Sequence, residues 1–151
     1  MVGGTLVNND YQEILNLEHQ FIEHLDDDRL DDVATMFEHG RLELVINGAG
    51  IAAEGTGPTG ARSVLQAVSR PRPDGSFGRH LVSNPVVTID DEAGTATVRF
   101  RTILHYVAPG MPLHVLGLGR HEDELARFDG AWHITRKRII GDVRYPPPAG
   151  S

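Results

Sequence analysis

The sequence predicts an α+β domain, and three observations predict it. The hydrophobic period changes once, from the three-to-four spacing of amphipathic helices in the first half to strand-like alternation in the second. Turn signals punctuate the alternating half, and Asp129-Gly130 between two such runs is the strongest short hairpin signal in the chain. The 151 residues show no second block of composition, which is the length of one domain with a real core. Three helices followed by a four-stranded antiparallel meander bury both sets of apolar faces only if the sheet curls around the helices, and such a curl leaves a hollow.

Taken in order, Tyr11, Ile14, Leu15, Phe21, Ile22 and Leu25 recur at helical spacing and predict a first helix, with Asp10 and Glu13 as a capping box at its start. Leu30, Val33, Ala34 and Phe37 repeat the stripe and predict a short second helix ending near Gly40. The acidic run Asp26-Asp27-Asp28 precedes it, where the macrodipole is positive. Arg41 to Asn47 is rich in apolar and β-branched residues and reads as a strand. Gly48 to Gly60 holds five glycines and reads as a mobile loop. Val64, Leu65 and Val68 behind Thr59 predict a third short helix, broken by Pro71 and Pro73 in a surface segment. Leu81 to Ile89, Ala96 to Tyr106, Leu113 to Phe128 and Ala131 to Ile140 complete the meander. One domain over 1–151 is expected, with flexible ends at 1–9 and 142–151, the latter containing Tyr145-Pro146-Pro147-Pro148.

Composition narrows the function. Lys and Arg number 14 against 21 Asp and Glu, a net charge of −7 that repels the phosphate backbone, so no nucleic-acid partner is expected. The absence of cysteine excludes disulfides, thiolate nucleophiles, cysteine-ligated zinc and iron–sulfur clusters. No stretch reaches the roughly 18 apolar residues of a membrane span, and the first residues lack a basic region followed by an apolar one. A soluble cytoplasmic protein without membrane contact is expected. Thirteen of the 14 basic residues are Arg and only Lys137 is Lys, which reads as compositional bias.

Eight histidines make imidazole the best titrating group available. His19 and His24 lie beside Glu18 and Glu23, away from the apolar stripe, and with His39 they read as solvated. His80 opens a predicted strand and His105 ends the next, both near strand ends amid apolar neighbours; the alternative reading is a half-buried histidine bonded to a carbonyl. Asp26 falls four residues after Ile22, so its carboxylate turns inward at the end of the first helix while Asp27 and Asp28 face water; the alternative is a cap or solvated charge. A carboxylate held against an imidazole fixes its tautomer and makes a general base. No His-Glu-x-x-His pair or other ligand spacing points to a metal, no Gly-x-Ser-x-Gly elbow to an acyl-enzyme, and Gly55 to Gly60 follows no Walker pattern. In Arg136-Lys137-Arg138, alternation aims one side chain inward and its neighbours at water.

Four segments carry a family resemblance: Leu25-Asp26 before a short helix ending in Met36-Phe37; Gly78-Arg79-His80-Leu81-Val82-Ser83-Asn84; Gly119-Arg120-His121-Glu122-Asp123-Glu124-Leu125; and Asp129-Gly130-Ala131-Trp132-His133-Ile134. Together they resemble the SnoaL-like branch of the nuclear-transport-factor-2-like superfamily, over about Tyr11 to Arg138. The resemblance implies a cystatin-like α+β barrel, a cone-shaped curved antiparallel sheet wrapped by three N-terminal helices around a conical pocket. Within the superfamily the sequence resembles scytalone dehydratase and hexachlorocyclohexane dehydrochlorinase, lyases that need no metal or cofactor.

By that resemblance Asp26 and His80 form an Asp–His dyad, and His105 falls where the dehydratase has a second histidine. His121, Lys137 and Asn84 are implied as substrate-binding positions. The dehydratase's tyrosine pair has no match, since Leu25 stands beside Asp26 and Tyr11 lies far upstream, which argues against scytalone itself as substrate. The expected function is a cofactor-independent lyase or dehydratase acting on a small, hydrophobic, oxygenated metabolite of polyketide, terpenoid or steroid-like type. An isomerase or cyclase with the same dyad, or a non-catalytic small-molecule-binding protein, is the alternative. A homo-oligomer, dimer or trimer, is also expected, because a sheet face with Val98, Phe100, Leu104 and Tyr106 is read as otherwise exposed.

Overall fold

A computed structural model describes residues 9–68, 72 and 75–145 of the chain. Pro71, Pro73 and the expected ends at 1–8 and 146–151 lie outside the described residues. The elements are α1 (Asp10–Asp26), α2 (Leu30–Thr35), β1 (Arg41–Ile46), β2 (Gly50–Thr56), α3 (Gly57–Val68), β3 (Phe77–Asp90), β4 (Thr95–Val107), β5 (His114–Phe128) and β6 (Ala131–Arg144). They form the α+β architecture expected: one six-stranded sheet in the order β2-β1-β6-β5-β4-β3, with the helices on its concave side. All neighbours are antiparallel except β1 and β6. The sheet curves without closing, so β2 and β3 are its edges. Register shifts between Ser83 and Val86, Leu104 and His105, and Leu118 and Gly119 supply the bends, since an extra residue in one strand increases local twist.

Alternation along β4 sets the core. Ala96, Val98, Phe100 and Thr102 are buried while their neighbours through Arg101 are exposed. Against this inner face pack Ile14, Phe21 and Ile22 of α1, Val33 of α2, the following Phe37, and Ala61, Val64 and Leu65 of α3. Phe21 and Phe37 meet edge to face at 6.1 Å and are fully buried. Each contributes about 1.5–3 kcal/mol by its burial.

Several local expectations are corrected. Gly48 to Gly60 is not a loop: it forms β2, pairs with β1 and turns directly into α3. Its glycines permit a close crossing, because a Cβ on Gly55 would lie 2.2 Å from the Gly60 carbonyl oxygen. The capping box does not form. The N-cap of α1 is Asn9, with no side-chain cap bond, and Asp10 instead accepts a hydrogen bond from Trp132 Nε1–H at 2.9 Å and pairs with Arg127. The expected free end at 142 is still strand: Arg144 pairs with Gly117, and Tyr145 N–H donates to the Leu116 carbonyl at 2.6 Å. Val98, Phe100 and Tyr106 are buried on the concave face, so the ground for expecting association through them is removed. Among the described residues no helix is long and apolar enough to cross a membrane.

Candidate active site

The site is built where the last turn of α1 meets the first residues of β3. Ile14, Glu18, Phe21 and Ile22 face the sheet, and Asp26 continues that side of the helix four residues after Ile22. On β3, His80 lies opposite Leu104, in phase with inward-facing Thr102 and Phe100. The junction is laced by further acid–base pairs: Asp27 accepts from Arg79 at 3.1 Å and Asp28 from Arg72 at 3.4 Å. Asp27 and Asp28 thus reach solvent, as expected, while also tying α1 to the strand and its approach.

Asp26 engages both of its oxygens on His80. Oδ1 lies 2.5 Å from ring Nδ1, and Oδ2 accepts the His80 backbone N–H at 2.9 Å. A carboxylate that only accepts favours a proton on the ring Nδ1, and in a neutral ring the lone pair is then on Nε2. Nε2 has no hydrogen-bond partner among the described residues. The Asp26 side chain is 8% exposed and that of His80 19%, so the dyad is sheltered yet reachable.

Opposite His80 on the inner face stands Leu104, followed by Gly117, and the next row carries Val82, Thr102, Gly119 and Gly141. Toward the other end the face fills. Phe100 stacks on His121 at 4.3 Å, and Phe21 meets the same imidazole edge-on at 6.1 Å. Beyond them Lys137 is wholly buried; its Nζ donates to Asp123 Oδ2 at 2.5 Å and to Glu18 Oε2. Burial, then the charges of Lys137 and His80, hold His121 well below the ordinary imidazole range. Burial opposes the charge on Lys137, yet Asp123 and Glu18 outweigh it and raise the ammonium's pKa. Burial pushes Asp123 up; Lys137 opposes the shift and Glu18 adds to it.

The structure therefore brings Asp26 and His80 into contact and places His121 on the same inner face. It separates the other expected site residues. His105 lies opposite Arg79, one residue out of phase with Leu104 and Tyr106, and so faces the outer side of the sheet, away from His80. Asn84 sits in the register shift of β3 with φ of 54°, away from the dyad, and borders an open hollow of ≈ 450 Å³ that Arg99, Arg101, Arg120, Phe100 and His121 also line. Lys137 is the inward residue of Arg136-Lys137-Arg138, as alternation required, but it is saturated by two carboxylates and cannot meet a substrate.

Glu18 and Asp123 were missed. Both signals were present: Glu18 falls midway between Ile14 and Ile22 on the apolar stripe, and Asp123 alternates with His121 and Leu125. The lone lysine is likewise no compositional accident, since it occupies the most buried cationic position described.

A family model for the SnoaL-like domain matches residues 8–138. The chain belongs to the SnoaL-like domain family. Its fold is shared with ActVI-ORFA from Streptomyces coelicolor at a TM-score of 0.75 and 17% identity, covering 89% of this chain and 98% of that one. A protein from Novosphingobium aromaticivorans named for scytalone dehydratase is similar at a TM-score of 0.64 and 20% identity, covering 94% of each chain. An NTF2-like protein with a cystatin-like fold from the same organism is similar at 0.66 and 18% identity, covering 95% of this chain and 84% of that one. Among curated proteins none matches by sequence. In this SnoaL-like chain no group of three or more His, Asp or Glu among the described residues is placed to hold a metal ion.

Proposed function

We propose that the protein is a cofactor-independent acid–base enzyme, a lyase of the dehydratase type, acting on a small, hydrophobic, oxygenated metabolite. The observation that carries this reading is the double engagement of His80 by Asp26, in which Nε2 makes no hydrogen bond among the described residues. His80 Nε2 takes a proton from a carbon next to a carbonyl; the C–H pair moves into a carbon–carbon double bond and the carbonyl pair onto oxygen. Asp26 stabilises the imidazolium that results. In elimination the electrons then return from oxygen and expel a β-hydroxyl, which leaves with the proton as water. Membership of the SnoaL-like family and the likeness to ActVI-ORFA and the dehydratase-named protein agree with small-molecule chemistry of this kind.

One observation favours the isomerase or cyclase reading. His105, at the position of the dehydratase's second histidine, faces the outer side of the sheet and so cannot donate to a leaving hydroxyl at the dyad. A single exchanging imidazole at the dyad suits removal of a proton and its return to another atom. The test is incubation with a panel of hydroxylated cyclic ketones in deuterated water. Loss of water supports the lyase, and deuterium gained without loss of water supports the isomerase. His80→Ala and Asp26→Asn are expected to slow either by about 10²–10⁴-fold. Neither reaction with any member, or full turnover by His80→Ala, overturns the assignment in favour of a binding protein or another base.

A further inference from the structure

The far end of the interior holds three charged side chains that proton abstraction at His80 does not use. Glu18, Asp123 and Lys137 come from α1, β5 and β6, and each is at most 2% exposed. Asp123 could ion-pair with His121 two residues away on the same inner face, but its oxygens are taken: Oδ2 by Lys137 at 2.5 Å and Oδ1 by the Arg138 backbone N–H at 3.1 Å. His121 Nδ1 stops 4.0 Å short of Oδ2 and has no hydrogen-bond partner. The ammonium and the imidazole also share their walls. Lys137 Nζ lies 4.5 Å from the Phe21 centroid and 5.4 Å from that of Phe100, the two rings that hold His121.

We infer that Glu18, Lys137 and Asp123 are one positioning unit, in which Lys137 takes up the carboxylates that would otherwise pair with His121 on the face it shares with His80. Lys137 withdraws the nearby carboxylates from His121 and is itself a cation behind the same rings. A second positive charge there would sit in an apolar medium with no carboxylate within hydrogen-bond reach of its Nδ1. The contrast with His80 is the point: one imidazole owns a carboxylate and can hold a proton, while the other has had its carboxylate taken. The titratable groups around His121 are Glu18 from α1, His80 from β3, Asp123 from its own strand and Lys137 from β6; burial, then Lys137 and His80, disfavour its protonation.

On the acid–base reading, which this inference extends, His121 offers a substrate oxygen a neutral N–H and does not compete for the proton His80 removes. The experiment reads the imidazoles without substrate, so its failure is distinguishable from failure of that reading. Ring nitrogens of the full chain, labelled with nitrogen-15, are followed by NMR during a pH titration. In the wild type His121 is expected to stay neutral below 6.5, the ordinary imidazole value. Lys137→Met leaves Asp123 and Glu18 uncompensated and is expected to raise proton affinity at His121 at least tenfold; Lys137→Gln, should the methionine variant not fold, is expected to do the same. The triple variant Glu18→Gln, Lys137→Met, Asp123→Asn removes both signs of charge and is expected to return His121 to neutrality. A cationic His121 in the wild type at neutral pH, or no change in the folded single variant, overturns the inference.

Discussion

Asp26 accepts two hydrogen bonds from one residue, so its amide analogue cannot replace it. In Asp26→Asn the NH2 group would face either the ring Nδ1–H or the backbone N–H of His80, two donors against one. The ring is then expected to change tautomer and lose its free Nε2, lowering kcat/KM by about 10²–10⁴-fold in the range of general acid–base catalysis. Steady-state kinetics on a substrate from the ketone panel measure this.

His121 gives a separate prediction for stability. Its folded pKa lies below the ordinary 6.5, so below that pH the unfolded chain binds a proton that the native chain refuses, and stability falls as pH falls. Asp123, raised above its ordinary 3.8, acts in the opposite sense, because the native state then holds the extra proton. Urea midpoints of His121→Phe should therefore fall less on acidification than those of the wild type. Lys137→Met alone should cost about 3–5 kcal/mol by stranding two buried carboxylates, and the triple neutral variant should regain most of it. At this scale the Asp26–His80 contact was legible, because helical phase turned Asp26 inward and the family resemblance paired it with His80. Glu18 and Asp123 were passed over because acidic residues on an apolar stripe have no meaning until their cation is known, and Lys137 comes from a strand 119 residues from Glu18.

Between elements, the crossings depend on residues without side chains. A Cβ on Gly40 would lie 2.3 Å from the Ile134 carbonyl oxygen, so Gly40→Ala must push the start of β1 away from β6. It is expected to lower the melting temperature, whereas Gly48→Ala, with no atom within 4 Å of the new Cβ, strains only its own backbone at φ of 81°. Thermal unfolding of the two variants side by side checks this. Such contacts explain why β2 was hidden: glycines in Gly48 to Gly60 signal a loop locally, while their purpose is the close pass of β2 and α3. The failed capping box has a similar cause. Trp132 and Arg127, from the two strands of a distant hairpin, outbid the helix terminus for Asp10.

Across the molecule, the change of hydrophobic period and the Asp129-Gly130 turn were enough to predict a curled sheet under helices, because both report burial directly. Which face each strand residue takes was less legible. A one-residue difference in phase sent His105 to the outer side, and Asn84 fell within the register shift of β3. The account rests on the curved sheet delivering His80 to Asp26 with Nδ1 protonated and Nε2 open. Nitrogen-15 NMR of the His80 ring tests that most directly. The Nδ1–H tautomer in the wild type, lost in Asp26→Ala, is the result predicted; an Nε2–H tautomer indifferent to that substitution would contradict it.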